Sequence, residues 1–312
     1  MQAEATVIPG RLNTVLVLAV CALQLGLLIC ASHLHGWWLL APGVPFALLF
    51  LTNYALMHEA SHGSLHADPR RNRLLGSVTG LTFPTSATMM RVTHAVHHRC
   101  NRTDHEMFDC YYPGDRVWLK RAQWYSILTG LFYVIIPPGA FAVGFLRPLL
   151  LSGPFKRARS AAVLFDDFTA AERRLVRREC AALVALYVLL FASGALSPGP
   201  VLLLFALGGC HWSTRQYVTH AWSRREVMTG AHNLTPGAPL MRWILLNGHW
   251  DQAHHRWPMV PWIHLPGLAA ECAAPIPFWP QYLSQWTGPR PAAGPGPAAL
   301  PNVEWRREGV AT

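Results

Sequence analysis

The sequence predicts an all-α integral membrane protein with four transmembrane helices and a cytoplasmic helical cap that carries a histidine-rich dimetal site. Three observations carry that prediction. Of 312 residues, 52% are hydrophobic and only 13% charged, against roughly 25% charged in soluble domains. The apolar residues gather into long runs. Most of the 16 histidines fall into short clusters beside those runs. The net charge of +10 sits in loops between apolar runs rather than on a nucleic-acid-binding module. Anionic lipid headgroups, and not nucleic acid, are therefore the expected counter-charge. The seven cysteines contain no CxxC pair, so neither a zinc ribbon nor a disulfide framework is expected.

A membrane-crossing helix takes ~20 mostly apolar residues. Runs at 14–31, 37–57, 180–196 and 201–218 are the predicted spans. The first is longer than a signal-peptide core and has no clear cleavage site, so it reads as a retained helix. A fifth apolar stretch, 123–146, carries Pro137, Pro138 and Gly139. Adjacent prolines break a helix, so this stretch reads as re-entrant or interfacial. The segments after the second run contain Arg70, Arg71, Arg73, Arg91, Arg99 and Arg102, and Arg173, Arg174, Arg177 and Arg178 precede the third. By the positive-inside rule these face the cytoplasm, as do both termini. An amphipathic helix is predicted over 165–179, with Thr169 as N-cap and Glu172 as its capping-box partner. Residues 1–286 form one membrane domain, and the Pro/Ala/Gly-rich tail, 287–312, is expected to be disordered.

His58 and His62 form H-x-x-x-H directly after the second run. His94, His97 and His98 form H-x-x-H-H, His220 follows the fourth run, and His249, His254 and His255 make a third cluster. Residues i, i+3 and i+4 share a helix face, so each box can aim its imidazoles at one centre. Imidazole is a good ligand for iron, zinc and copper. So many neutral rings together in apolar surroundings are costly unless something takes their lone pairs. Eight or nine rings exceed what one ion needs, so two ions are the simplest count. His33, His35, His66, His105, His211, His232 and His264 read as ordinary hydrogen-bonded residues.

These boxes resemble those of the membrane fatty acid desaturase superfamily, which includes acyl desaturases, alkane hydroxylases and carotenoid ketolases. The resemblance runs from about residue 51 to 266. It rests on His58-Glu-Ala-Ser-His62, on His94-Ala-Val-His97-His98 and on His254-His255, with Asn101-Arg-Thr-Asp104 and Pro258-Met-Val-Pro261-Trp262 also similar. It implies a non-haem di-iron oxidoreductase that uses two Fe ions and O2. The resemblance also implies His220 as a ligand, with Gln216 as its polar neighbour. Glu59, Asp104 and Glu106 could orient ligating rings through their second N–H. The third box departs from the usual H-x-x-H-H, because Asp251 stands three residues before His254. His249 is the expected ligand there, with Asp251 as an alternative ligand or outer partner. The expected substrate is a long apolar chain, a fatty acyl lipid first among them, and desaturation the first-choice reaction, with hydroxylation or ketolation as alternatives. No haem-binding electron-carrier domain is visible, so electrons are expected from a separate ferredoxin or reductase. A bacterial inner membrane is the expected location.

Two rivals compete with this reading. His58-Glu59-Ala-Ser-His62 is also an H-E-x-x-H match, the zinc-binding motif of metalloproteases, with Glu as general base. That reading leaves His94, His97, His98, His254 and His255 without a purpose. The other rival is a non-catalytic metal- or lipid-binding membrane protein.

Overall fold

The computed structural model describes residues 7–146, 150 and 168–301. Its regular structure is almost wholly helical. Helix α1 (Gly10–Ser32) and α2 (Leu40–Ser61, preceded by a 3-10 turn at Gly36–Leu39) form an apolar hairpin. Their outer faces leave Leu12, Val15, Leu18, Leu23 and Val44 exposed, as lipid-facing helices do. Helix α3 (Pro69–Thr82) starts where the Asp68 side chain accepts from the Arg70 and Arg71 N–H groups and Pro69 fills the first turn. Helix α4 (Ala87–Cys100) is capped by Ser86.

Buried amides pin α2 to α3. Asn53 Nδ2 donates to Thr79 O (3.1 Å) and Thr82 Oγ1 (2.9 Å), and Asn72 Nδ2 donates to Ala60 O (2.8 Å). These bonds hold the end of α2, where the first box sits, against the next helices.

Helix α5 (Val117–Leu128), the short α6 (Leu131–Val134) and α7 (Ile136–Phe145) follow. The chain bends by 88° between α5 and the α6–α7 pair. The prolines expected to make the break do not make it. Pro137 and Pro138 lie in the first turn of α7, where a missing N–H costs nothing. The bend falls at Gly130, whose φ of 88° is in the left-handed region.

Helix α8 (Ala170–Ala192) opens with the predicted capping box between Thr169 and Glu172. The first residues of the helix predicted at 165–179 lie outside the described residues. Glu179 of α8 reaches the start of α4. There it accepts from the Thr88 N–H (3.0 Å), Thr88 Oγ1 (3.0 Å), Ser77 Oγ (2.8 Å) and Ser86 Oγ. A carboxylate at a helix N-terminus also complements the helix dipole.

Helix α9 (Pro198–Ser213) packs along α2. Phe46, Phe50, Phe83, Tyr133, Leu204 and Trp212 form the main buried cluster there, with Phe50 and Phe83 stacked at 4.4 Å. Gly208 and Gly209 permit the close approach. A Cβ on Gly209 would stand 2.2 Å from Tyr133 Cδ1. Gly209→Ala should therefore cost about 1–3 kcal/mol by overpacking. Gly199→Ala, with no atom within 4 Å of the new Cβ, should be neutral or slightly stabilising. Paired thermal melts in detergent measure both, and equal melting temperatures would refute the packing argument.

The expectation of four spanning helices is corrected. Only two described helices are long and apolar enough to cross a membrane, Gly10–Ser32 and Gly36–Ser61, or three if the bent pair Val117–Leu128 and Leu131–Phe145 is one span. The predicted third span is the second half of α8, whose first half carries Glu172, Arg173, Arg174, Arg177, Arg178 and Glu179. The apolar remainder stops at Ala192, just before the turn at Gly194 (φ 75°). It is about 20 Å long, against a hydrocarbon core of about 30 Å. The predicted fourth span ends as a helix at Ser213, not 218. Its 16 residues reach only about 24 Å. Counting apolar residues overestimated both, because the helices end at Ala192 and Ser213, short of the predicted 196 and 218.

After α9 the chain runs through turns to α10 (Met241–Ile244), α11 (Asp251–Arg256) and α12 (Phe278–Ser284). Two short parallel pairings tie the loops. Strand β1 (Cys110–Tyr111) pairs with β4 (Arg290–Pro291), and β2 (Leu234–Thr235) with β3 (Ile276–Pro277). The expected disorder of the tail does not hold through residue 300. Arg225 donates to Gly294 O (2.6 Å), Gly296 N to Asp104 Oδ1 (3.0 Å) and Leu300 N to Arg99 O (2.9 Å). Residues 302–312 lie outside the described residues.

Candidate metal centre

The three boxes and His220 converge from four separate parts of the chain. His58 lies in the last turn of α2, and His62 follows it at the C-cap. His94, His97 and His98 occupy the last two turns of α4, and His254 and His255 lie on α11. Their ring nitrogens form two groups. One contains His58, His62, His94, His98 and His254, and the other His97, His220 and His255, with the atoms of each group within 4.8 Å of one another.

The boxes therefore do not each serve one centre, as the spacing predicted. The neighbours His97 and His98 divide between the groups, and so do His254 and His255. Adjacent helical residues point about 100° apart, so each helix contributes to both sides.

The spacing of the nitrogens fits a cation. His94 Nε2 lies 2.8 Å from His62 Nε2 and 3.0 Å from His98 Nε2, which is itself 3.0 Å from His254 Nε2. A ring nitrogen carries one proton or one lone pair. The Nε2 atoms of His94 and His98 each face two others, so shared protons leave contacts unsatisfied. Neighbouring ligands on one ion, with bonds of about 2.1 Å, lie about 3 Å apart, close to the spacing found. Burial lowers the basicity of His62, His94, His98, His254 and His255 well below the usual imidazole range, and neighbouring imidazoles lower it further. The uncharged ring is thereby favoured, and an uncharged ring can offer a metal its lone pair.

In the second group the tautomers are set from behind. His220 Nδ1 faces Gly230 O at 3.1 Å, and His97 Nδ1 faces the Glu106 carboxylate at 2.5 Å. Each Nδ1–H donates outward and leaves Nε2 directed inward. Burial alone would lower the His97 basicity, but Glu106 and Asp251 outweigh it and raise it. His220 is pushed down to about 3, by burial first and then by His97.

Asp251, the alternative to His249, lies beside this group. Its carboxylate is 3.2 Å from His220 Nε2 and 4.0 Å from His255 Nε2. Helix α11 begins at Asp251, so positions 251, 254 and 255 share a face. His249 precedes the helix and joins neither group, and its ring nitrogens have no hydrogen-bond partner. Burial, more than the neighbouring Arg242 and Arg215, pushes it down to about 4.

The remaining expected partners divide. Glu106 meets His97 Nδ1. Glu59 lies 4.0 Å from His58 Nδ1, but its Oε2 accepts from Ser64 Oγ (2.8 Å) and Trp262 N (3.1 Å). It ties the α2 end to the segment after α11 and is not free to act as the general base of an H-E-x-x-H protease. Among the described residues Asp104 pairs with none of the eight box histidines or His220 and instead accepts from Arg225 (2.7 Å) and Tyr112 (2.7 Å). Gln216 turns back to Trp212 O at 3.4 Å. His66, His211 and His264 meet backbone groups.

Sequence reasoning missed the clamp behind the site. Arg102 and Asp109 form a buried ion pair at 2.8 Å. Arg102 also donates to Ser223 O and Tyr217 Oη, and Asp109 accepts from Trp222 N at 2.7 Å. Asn101 Nδ2 donates to Val227 O and to Gly230 O, the carbonyl that orients His220. The run Asn101-Arg-Thr-Asp104 was the available signal, but the acid that matters, Asp109, lies beyond it.

Glu106→Gln should weaken metal binding about 10–100-fold, the usual effect of losing a carboxylate behind a ligating histidine. Asp104→Asn should leave it unchanged. Metal content after dialysis against graded chelator tests this, and equal retention by both variants would refute the role given to Glu106.

Fold and site define a class: a helical membrane protein with a buried polyhistidine centre able to hold metal ions. Residues 35–288 match the fatty acid desaturase family, and the chain belongs to that family. No curated protein matches the chain.

Proposed function

We propose that the chain holds one iron ion in each histidine group and uses O2 to desaturate a long apolar lipid chain, a fatty acyl group first. The observation that carries this is the convergence of eight imidazoles in two adjoining groups, with Asp251 beside the second, more donors than one ion takes. Imidazole with carboxylate suits non-haem iron. Two irons would supply the reductive chemistry by which O2 oxidises an unactivated C–H bond.

The residues have separate tasks in this reading. His58, His62, His94, His98 and His254 hold one ion, and His97, His220, His255 and Asp251 the other. Glu106 and the Gly230 carbonyl keep the Nδ1 protons of His97 and His220 in place. His98, His254 and His255 are buried, which keeps water from the centre. Tyr54, Phe83 and Trp212 form an aromatic layer between the apolar helices and His58, with Tyr54 and His58 centroids 6.3 Å apart. An apolar chain approaching from the bilayer suits that layer. The arginine-rich segments beside the boxes support a site on the cytoplasmic side, and a bacterial inner membrane is the location we propose. Electrons come from a separate ferredoxin or reductase.

Mass spectrometry of lipids from aerobic cells with and without the gene tests the reading. Loss of two hydrogens indicates desaturation. Gain of an oxygen indicates hydroxylation, and gain of oxygen with loss of two hydrogens indicates a ketone. An unchanged lipid profile, with iron-loaded protein and a reductase present, would refute it.

A further inference from the structure

Desaturation with O2 removes two electrons from the substrate, while reducing O2 to two waters takes four. Insertion of one oxygen atom leaves the same deficit. Either reaction therefore needs two electrons and two protons from outside for each turnover. His220 and His255 are buried and the His97 side chain is only 22% exposed, so a protein-borne donor reaches most of this group only through the surrounding protein.

We infer that Trp222, Trp124 and Tyr217 form the route by which electrons from an acidic one-electron carrier protein, docked over Arg290, reach that group; this rests on the function proposed above. The rings make an unbroken series. The Arg290 guanidinium carbon lies 3.6 Å from the centre of the Trp222 ring. Trp222 and Trp124 centroids are 5.9 Å apart, Trp124 and Tyr217 5.7 Å, and Tyr217 and His220 5.6 Å. His220 is then 4.9 Å from both His97 and His255. All these spacings fall within the range for packed aromatic pairs. Electron tunnelling decays exponentially with the gap to be crossed, so a packed series couples the surface to the group better than a longer unbridged path.

The outer end of the series is fixed and charged. Trp222 has a φ of 54°, an uncommon conformation for a bulky residue that persists only where the surroundings enforce it. Here its N–H donates to buried Asp109, and its ring lies under Arg290. Arg290 is exposed, and its backbone N–H is held by Asp109 O. Arg224, whose side chain is 80% exposed and 3.4 Å from Glu226, follows two residues after Trp222. An exposed arginine stacked on an aromatic ring fits a carrier with an acidic face. Each docking oxidises the carrier by one electron and reduces one ferric ion to ferrous. Two dockings supply one turnover, and the rings themselves end unchanged.

Full-length iron-loaded protein in lipid nanodiscs, mixed with a photoreduced plant-type [2Fe–2S] ferredoxin, tests this. The readouts are ferredoxin affinity and the absorbance change as the oxidised centre is reduced, with dithionite as a small reductant that needs no docking. Arg290→Glu should weaken ferredoxin binding about tenfold and flatten its salt dependence. Trp222→Leu should slow reduction several-fold at saturating ferredoxin with affinity unchanged, while Trp222→Phe retains most of the rate. Dithionite should reduce all variants alike. Wild-type ferredoxin kinetics in both Arg290→Glu and Trp222→Leu would overturn the route while leaving the metal centre standing. Equal loss in Trp222→Phe and Trp222→Leu, accompanied by a lowered melting temperature, would assign the ring a packing role and overturn it too. A wild-type protein with no dithionite-reducible centre would refute the function proposed above, and the route with it.

Discussion

Arg102→Ala should destabilise the protein by about 3–5 kcal/mol, the usual cost of stripping one partner from a buried ion pair. The Arg102 and Asp109 side chains are 2% and 0% exposed, so the abandoned carboxylate has no water to turn to. The loss also spreads. Arg102 donates to Ser223 O, and Asp109 holds the Trp222 N–H, so the turn after His220 would loosen. Arg102→Met with Asp109→Leu should recover part of the stability, because neither charge is then left alone. Thermal and denaturant unfolding in detergent measures these changes. A cost below about 1 kcal/mol for Arg102→Ala would mean that the pair does not hold this region together.

His98→Ala should abolish turnover, with a loss exceeding the roughly 10–100-fold that follows removal of an outer partner. His98 Nε2 is the nitrogen that faces both His94 and His254, so its removal takes away the ring that joins the second box to the third within the first group. Iron content should fall from about two ions per chain to one or none. His249→Ala should keep its iron, because His249 joins neither group. Iron analysis with product assay on folded protein decides the matter. Full iron content in His98→Ala, or its loss in His249→Ala, would contradict the ligand set proposed here.

The ligand types were legible in the sequence because histidines three and four residues apart on a helix share a face whatever the surroundings. His58, His62, His94, His97 and His98 were marked this way, and His254 and His255 by their resemblance to the family's third box. Their division between two groups was not legible. It depends on how α2, α4 and α11 are rotated against one another, which long-range contacts set. Asn72 holding Ala60 O and Glu179 gripping the start of α4 are two of them. The position of Asp251 beside His220 turned on where α11 begins, and a shift of one or two residues there changes which side chain faces the centre.

The sequence by itself determined that this is a helical membrane protein with a polyhistidine centre, because composition and helical period are local properties. Only the tertiary structure decided the number of spanning helices, the role of Asp251 and the clamp of Arg102 with Asp109. Helix ends and buried charge pairs are fixed by which distant groups meet, and contacts between residues far apart in the chain leave no periodic trace in it.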